Sequence, residues 1–547
     1  MLRPALVLGL DGAAFSVLRP LAEAGRLPNL ARLIAEGAHA PLASTTPAMT
    51  FPAWTSFWTG LAPSRHGLFD FTQKVPGAYA VRFANAADRD GASLARRVCD
   101  AGGSVLVLGL PATYPPEAVR GLLVAGWDAP VSAGSDATRA SDPALYRAIE
   151  RRVGPWMTPD LDEGAHGEAW HETAIDLLLA RIERKTRFAL EALAQLRARG
   201  DAPDLMVVVY SESDTVCHHY WRDHDARSPR HDPRASAKRR GAVAAVYEAL
   251  DAACGELRRA FGESAACFAL SDHGAGGAAR EVAQLGRRLA ECGLLVRKRG
   301  AALDRAARVA RELALRALPP RARERAFRRL RGAAARIESA ARFSGFDWAK
   351  SAAFTEDVNT QPGVWINLAG REAEGCVRPA DYERVRDDVI AALADWKLPD
   401  SSAPVVARAR RREEVHRGPH AVRAPDVVIE LAPHEGYGIS LVPTRWTDSA
   451  PASVRRLADG ELAGGKGRGM NGVHTPFGIW IQANANGARG ARGSAEIADT
   501  APTILRAMGV GFSELDGHAL GTPIGRAYTE AEQALVADRL RKLGYLE

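Results

Sequence analysis

Cysteine is scarce in this chain. Six occur in 547 residues, Cys99, Cys217, Cys254, Cys267, Cys292 and Cys376, and no two form a C-x-x-C pair. That excludes a small scaffold held by disulfides. Long apolar runs are missing as well. The apolar run at the start, Ala5 to Leu10, is closed by Asp11 and is shorter than a secretory signal requires. The long stretch without formal charge, 37–64, holds eight Ser or Thr and four Pro, which disqualifies it as a spanning helix. The expectation is a reduced, cytoplasmic protein with no transmembrane segment. With 46% hydrophobic and 25% charged residues, neither a disordered chain nor a collagen-like fibre is in question.

Charge of one sign is also lacking, except in one place. The net charge is +7, but the segment 297–342 alone carries 15 Lys or Arg against four acidic residues. The rest of the chain is therefore slightly acidic, and the basic character belongs to one Ala-, Leu- and Arg-rich segment. Pro319-Pro320 divides that segment into two expected helices. It reads as a helical insertion or cap with a solvated face, since no nucleic-acid motif accompanies it. The expected organisation is a first part of an α/β core over 1–295, the basic insertion over 296–349 with a possible extension to about 425, and the remainder of the core over 350–547.

What is present is a series of short β-rich runs: Ala5–Leu10, Ser104–Leu110, Leu205–Tyr210, Cys267–Leu270, Val427–Leu431 and Phe477–Gln482. Amphipathic helical patterns lie between them, as at Ala169–Ala198 and Ala242–Phe261. The alternation predicts an α/β fold with a mostly parallel sheet covered by helices on both faces. In such folds the site lies at the carboxyl ends of the strands.

Polar residues with chemical potential sit at those ends. Asp11 follows the first strand. Asp214 and His218, four apart, follow Leu205–Tyr210 and would share a helical face. Asp272 and His273 follow the strand ending at Leu270, and His474 precedes the last strong strand. Each alone has an ordinary reading as a turn, a cap or a hydrogen-bonded histidine. Together they supply three carboxylates and three imidazoles, a set that repels itself without cations. Mixed Asp and His ligation points to zinc first and manganese second. A fifth piece, Thr50-Phe-Pro52, has the form of a helix start. A threonine there faces free N–H groups and the positive end of the helix dipole, a setting for a phosphate group and for an activated nucleophile.

These stretches together resemble the alkaline phosphatase superfamily, in its type I phosphodiesterase/nucleotide pyrophosphatase branch. They are GLDG at 9–12, PAMTFPAWTSFWTGLAPSRHGLFDF at 47–71, SESDTVCH at 211–218, SDHG at 271–274, GVHTPFGIWI at 472–481, IADTAPTILRAMGV at 497–510 and LDGHAL at 515–520. The stretch VWINLAGREAEGCVRPADYE at 364–383 is similar to a group of predicted phosphohydrolases of that superfamily. The resemblance implies an alkaline-phosphatase-like fold and a site with two divalent ions. One ion would be surrounded by Asp11, Thr50, Asp272 and His273, the other by Asp214, His218 and His474. Thr50 would attack phosphorus in line, pass through a phospho-threonine intermediate and be released by water. The implied substrate is a small phosphate ester, with a phosphodiester favoured. A phosphomonoesterase or phosphomutase is the alternative within the superfamily, and a non-catalytic anion-binding protein is a remoter one. In this branch Thr-Phe-Pro is commonly followed by Asn, which helps hold a phosphate oxygen. Here the position is Ala53, so one side-chain donor is expected to be missing, with Asn471 as a candidate substitute. Sulfatases of the superfamily carry Cys/Ser-x-Pro-x-Arg, whereas this chain has Thr50 and Trp54 at those ends, which counts against sulfate esters.

Overall fold

The computed structural model describes residues 2–129, 136–156, 168–298, 331–356, 362–444, 446, 452–462, 470–485 and 489–520. The expected pair of helices around Pro319-Pro320 lies outside these residues. Of the basic segment, Arg331–Phe343 is described as a helix.

Five parallel strands form the centre of a nine-stranded sheet. Their spatial order is Ala266–Leu270, Ala5–Leu10, Leu205–Tyr210, Val105–Leu110 and Gly121–Ala125. Every residue of Ala5–Leu10, Leu205–Tyr210 and Ala266–Leu270 is buried, as continuous apolar strands require when both faces are covered. The alternation of side chains divides them between two cores. Leu6, Leu8 and Leu10 join Met206, Val208 and the apolar stripes of the long helices Glu168–Ala198 and Ala237–Phe261. Ala5 and Val7 join Val207 and Val209 on the opposite face, under the helices Thr50–Thr59, Leu94–Asp100 and Thr500–Met508.

Beyond Ala266–Leu270 the sheet changes direction. Phe477–Ala483 pairs antiparallel to it, and Ala38–Ala43 pairs antiparallel to Phe477–Ala483. The start of Phe477–Ala483 and the end of Ala38–Ala43 therefore lie at the same edge as the carboxyl ends of the parallel strands.

The expected strand Val427–Leu431 is real but does not belong to this sheet. It pairs with Gly363–Ile366 and Val406–Arg411 in a separate four-stranded sheet that also includes Ala353–Phe354. Here Val364, Ile366, Val427 and Ile429 pack with Val385, Val389 and Leu393 of the helix Tyr382–Ala394, in a cluster that also takes in Ala279 and Ala283 of the strand Gly274–Ala283. The large sheet resumes only at Phe477, and the strands over 353–431 lie outside it. The motif stretch 364–383 serves this smaller unit. The buried Asp426 carboxylate accepts from Arg371, Arg412, Tyr382 and the Ile366 N–H. Among the described residues no helix is long and apolar enough to cross a membrane.

Candidate active site

Three neighbouring parallel strands deliver the first pieces. Asp11 directly follows Ala5–Leu10. Asp214 and His218 lie on the helix Glu212–His224, which starts two residues after Tyr210. Asp272 and His273 follow Ala266–Leu270. The turn after Asp11 needs glycine, because Gly12 has φ of 66° and a Cβ there would stand 3.0 Å from the Cβ of Asp214. Ser213 Oγ then ties the second loop to the first by donating to the Asp11 carbonyl at 2.6 Å.

His474 arrives by the antiparallel route. The strand Gly472–Thr475 pairs with Gly274–Ala283, with His474 opposite Ala275. That register lays the His474 ring on the His273 ring, with centroids 3.6 Å apart and planes within 20°. Arg230, fully buried, donates to the carbonyls of Ala279 and Met470 and so anchors the segment leading to His474. Thr50 comes from the helix Thr50–Thr59, whose start follows the strand Ala38–Ala43. Its hydroxyl lies 3.3 Å from His273 Nε2. All seven residues singled out from the sequence thus meet at one edge of the sheet.

The three imidazoles are oriented alike. His218 Nδ1 is 2.8 Å from the Gly472 carbonyl, His273 Nδ1 is 3.1 Å from the Gly274 carbonyl, and His474 Nδ1 is 3.2 Å from the Ala48 carbonyl. A carbonyl only accepts, so each Nδ1 carries the proton and each Nε2 lone pair is turned to the centre. There His218 Nε2 is 3.1 Å from His474 Nε2 and 3.1 Å from Asp214 Oδ1. His474 Nε2 is 3.5 Å from the same Asp214 oxygen. His273 Nε2 stands 3.6 Å from Asp11 Oδ1 and 3.3 Å from Asp272 Oδ2.

The carboxylates are left wanting. Among the described residues, the buried oxygens Asp11 Oδ1, Asp214 Oδ1 and Asp272 Oδ2 accept no well-formed hydrogen bond. Burial pushes the Asp11 carboxyl well above its ordinary range, reinforced by the charges of Asp272 and Asp214. Burial likewise pushes Asp272 up to about 8. Desolvation opposes the Asp214 charge too, but the imidazolium forms of His218 and His474 outweigh it and hold that carboxyl well below its usual range. Burial, then the neighbouring His474, pushes His273 far down. Unpaired lone pairs of this density, converging in a largely buried site, fit divalent cations. Two overlapping groups could hold them, Asp214 with His218 and His474, and Asp11 with Asp214 and His273. Asp214 is common to both. Only Asp214 and His474 keep appreciable side-chain exposure, 18% and 23%, so the site opens to solvent on their side.

Ala53 is fully buried in the apolar cluster with Val7 and Phe57 and offers no side-chain donor to the site. Asn471 is no substitute for one, since its side-chain amide donates to the His219 carbonyl at 3.3 Å and its N–H to the His218 carbonyl at 2.8 Å. Glu212, at the start of the helix that carries Asp214, is clamped by Lys185 at 2.8 Å and Arg181 at 3.3 Å. These cations overcome its burial and keep it ionised, so it is not a proton donor. Trp54 is buried in the core, and its indole N–H also donates to Asp11 Oδ2 at 3.3 Å. The signal that could have found it is Gly9, a glycine inside an otherwise bulky strand two residues before Asp11.

The family model described as type I phosphodiesterase / nucleotide pyrophosphatase matches residues 5–441. No curated protein matches the chain in sequence. Among solved structures, murine ectonucleotide pyrophosphatase / phosphodiesterase 5, an inactive variant in complex with AMP, aligns with a TM-score of 0.48 and 11% identity, over 95% of this chain and 98% of that one.

Proposed function

The chain belongs to the type I phosphodiesterase / nucleotide pyrophosphatase family and is a phosphoric ester hydrolase, and we propose that it cleaves phosphodiesters through a phospho-threonine intermediate on Thr50. The observation that carries this reading is the convergence of Thr50 Oγ1 with three Nε2 lone pairs and three underbonded carboxylate oxygens drawn from distant stretches of the chain. In the proposed site Asp214, His218 and His474 hold one divalent ion, and Asp11, Thr50, Asp272 and His273 surround the other. The Asp and His donor set favours zinc, with manganese second. Bound ions in such a pair supply charge neutralisation at the attacking and leaving oxygens.

The chain's own residues do the rest. The Thr50 hydroxyl sits at the first turn of its helix, where the leading N–H groups lack intrahelical partners and face an anionic phosphoryl group. Burial of Thr50, His273, Asp11 and Asp272 keeps water from the nucleophile's back side. The exposed flank at Asp214 and His474 is where ester and leaving group enter and depart. Attack by Thr50 forms an O–P bond and expels the first alcohol. Water then cleaves the Thr50–phosphate bond and restores the hydroxyl.

The test is hydrolysis of bis-p-nitrophenyl phosphate beside p-nitrophenyl phosphate, with and without Zn²⁺ or Mn²⁺. The expected result is metal-dependent cleavage of the diester in preference to the monoester. Thr50→Ala should lower the rate by roughly 10³-fold or more while leaving fold and metal content intact. Preference for the monoester would move the assignment to a phosphatase or mutase. A Thr50→Ala variant as fast as wild type would remove the nucleophile assignment.

A further inference from the structure

Trp54 lies four residues after Thr50 on the same helix and is completely buried. Its ring occupies a slot cut into the strand Ala5–Leu10. A Cβ on Gly9 would stand 2.8 Å from Trp54 Cη2 and 3.4 Å from Cζ3, so the indole fits only because residue 9 has no side chain. Phe57 closes the other side, edge-on at 5.5 Å and 88°. The ring so fixed points its Nε1–H at Asp11 Oδ2, 3.3 Å away. Among the described residues the other oxygen, Asp11 Oδ1, accepts no well-formed hydrogen bond, and it stands 3.6 Å from His273 Nε2.

A carboxylate with one oxygen tied to a rigid donor presents the other in a single direction. The donor here is neutral. An Arg at this position, as in the sulfatase pattern, would cancel charge that a cation needs, whereas an indole orients the carboxylate and leaves its charge in place. Ligating carboxylates depend on such outer hydrogen bonds, whose loss typically weakens metal binding by about 10–100-fold.

We propose that Trp54 is a positioning residue for metal binding: its indole N–H, held in the Gly9 slot, sets Asp11 so that Oδ1 faces the ion shared with His273. The inference rests on the two-ion reading above. It extends the role of the nucleophile helix, which then carries both Thr50 and the group that orients a ligand of the adjacent ion.

The test is calorimetric titration of Zn²⁺ into chelator-treated full-length wild type and Trp54→Phe, with bound zinc counted by elemental analysis. Phenylalanine keeps an aromatic ring in the slot and removes only the donor and part of the bulk. Wild type should bind two equivalents. The variant should keep one equivalent at wild-type affinity and bind the other about 10–100-fold more weakly. Its kcat should recover at saturating Zn²⁺ with little change in KM. Two equivalents at wild-type affinity in the variant would overturn the proposal. Equal weakening of both would also overturn it, since loss of packing alone predicts that pattern. Fewer than two equivalents in wild type would instead remove the two-ion reading itself. Should the variant fail to fold, indole ¹⁵N–¹H spectra of wild type decide. A tryptophan indole resonance that moves on Zn²⁺ addition supports the proposal, and indole resonances that all stay in place contradict it.

Discussion

The geometry of each histidine is set by one backbone carbonyl. The Gly472, Gly274 and Ala48 carbonyls hold the Nδ1 protons of His218, His273 and His474, leaving every Nε2 as an acceptor. The carboxylates respond differently. Burial pushes Asp272 up to about 8 and raises Asp11 as well, so the metal-free carboxylate cluster favours bound protons near pH 7 at Asp272. A cation must displace them, so its affinity should rise with pH up to about 8. Zn²⁺ titrations at pH 7 in buffers of different ionisation enthalpy should reveal net proton release. Identical apparent enthalpies in all buffers would contradict this. Glu212 makes a second residue-scale case. Lys185→Met leaves it buried with only the more distant Arg181, and should cost roughly 3 kcal/mol in denaturant unfolding. Neutralising both, Lys185→Met with Glu212→Gln, should recover part of that loss.

Glycines decide how closely the elements of the site can approach. Gly478 faces Ser271, where a Cβ would come within 2.2 Å of Oγ. That hydroxyl accepts from the Ile479 N–H at 2.8 Å and donates to the Ala13 carbonyl at 2.7 Å, locking the antiparallel strand to the loop beyond Asp11. Gly478→Ala should therefore destabilise by about 1–3 kcal/mol, read as a lower denaturation midpoint, and should weaken metal binding through His273. An unchanged midpoint would show that the junction can relax. The same scale explains what the sequence made legible. Asp11, Asp214, Asp272 and His273 could be read because each closes or follows an apolar strand, and parallel strands bring their ends together. His474 was legible as a residue before a strand, and the reversal of Phe477–Ala483 puts it at the right edge. The strand Gly274–Ala283 was not legible, since its glycines and alanines lack strand character. It forms because small residues let others in, as at Gly277, where a Cβ would lie 2.7 Å from Trp221 and from Tyr437. The four-stranded sheet escaped notice for a related reason, since its pairing depends on contacts far apart in the chain and one of its strands has only two residues.

At the scale of the whole molecule, one sheet edge gathers groups from nearly the full length of the chain, from Asp11 to His474. The family match ends at residue 441, short of His474, yet the fold brings that histidine onto the His273 ring. The smaller sheet over 353–431, tied together at Asp426, shares its apolar core with Ala279 and Ala283 of the strand Gly274–Ala283, which in turn pairs with the strand carrying His474. The central claim is that Thr50 takes the phosphoryl group. The most direct measurement is acid quenching of the zinc-loaded protein during turnover of bis-p-nitrophenyl phosphate, followed by peptide mass spectrometry. A nitrophenyl-phosphoryl ester on the Thr50 hydroxyl, absent from Thr50→Ala, is the predicted result. An adduct on a different side chain, with Thr50→Ala still turning over at the wild-type rate, would contradict it.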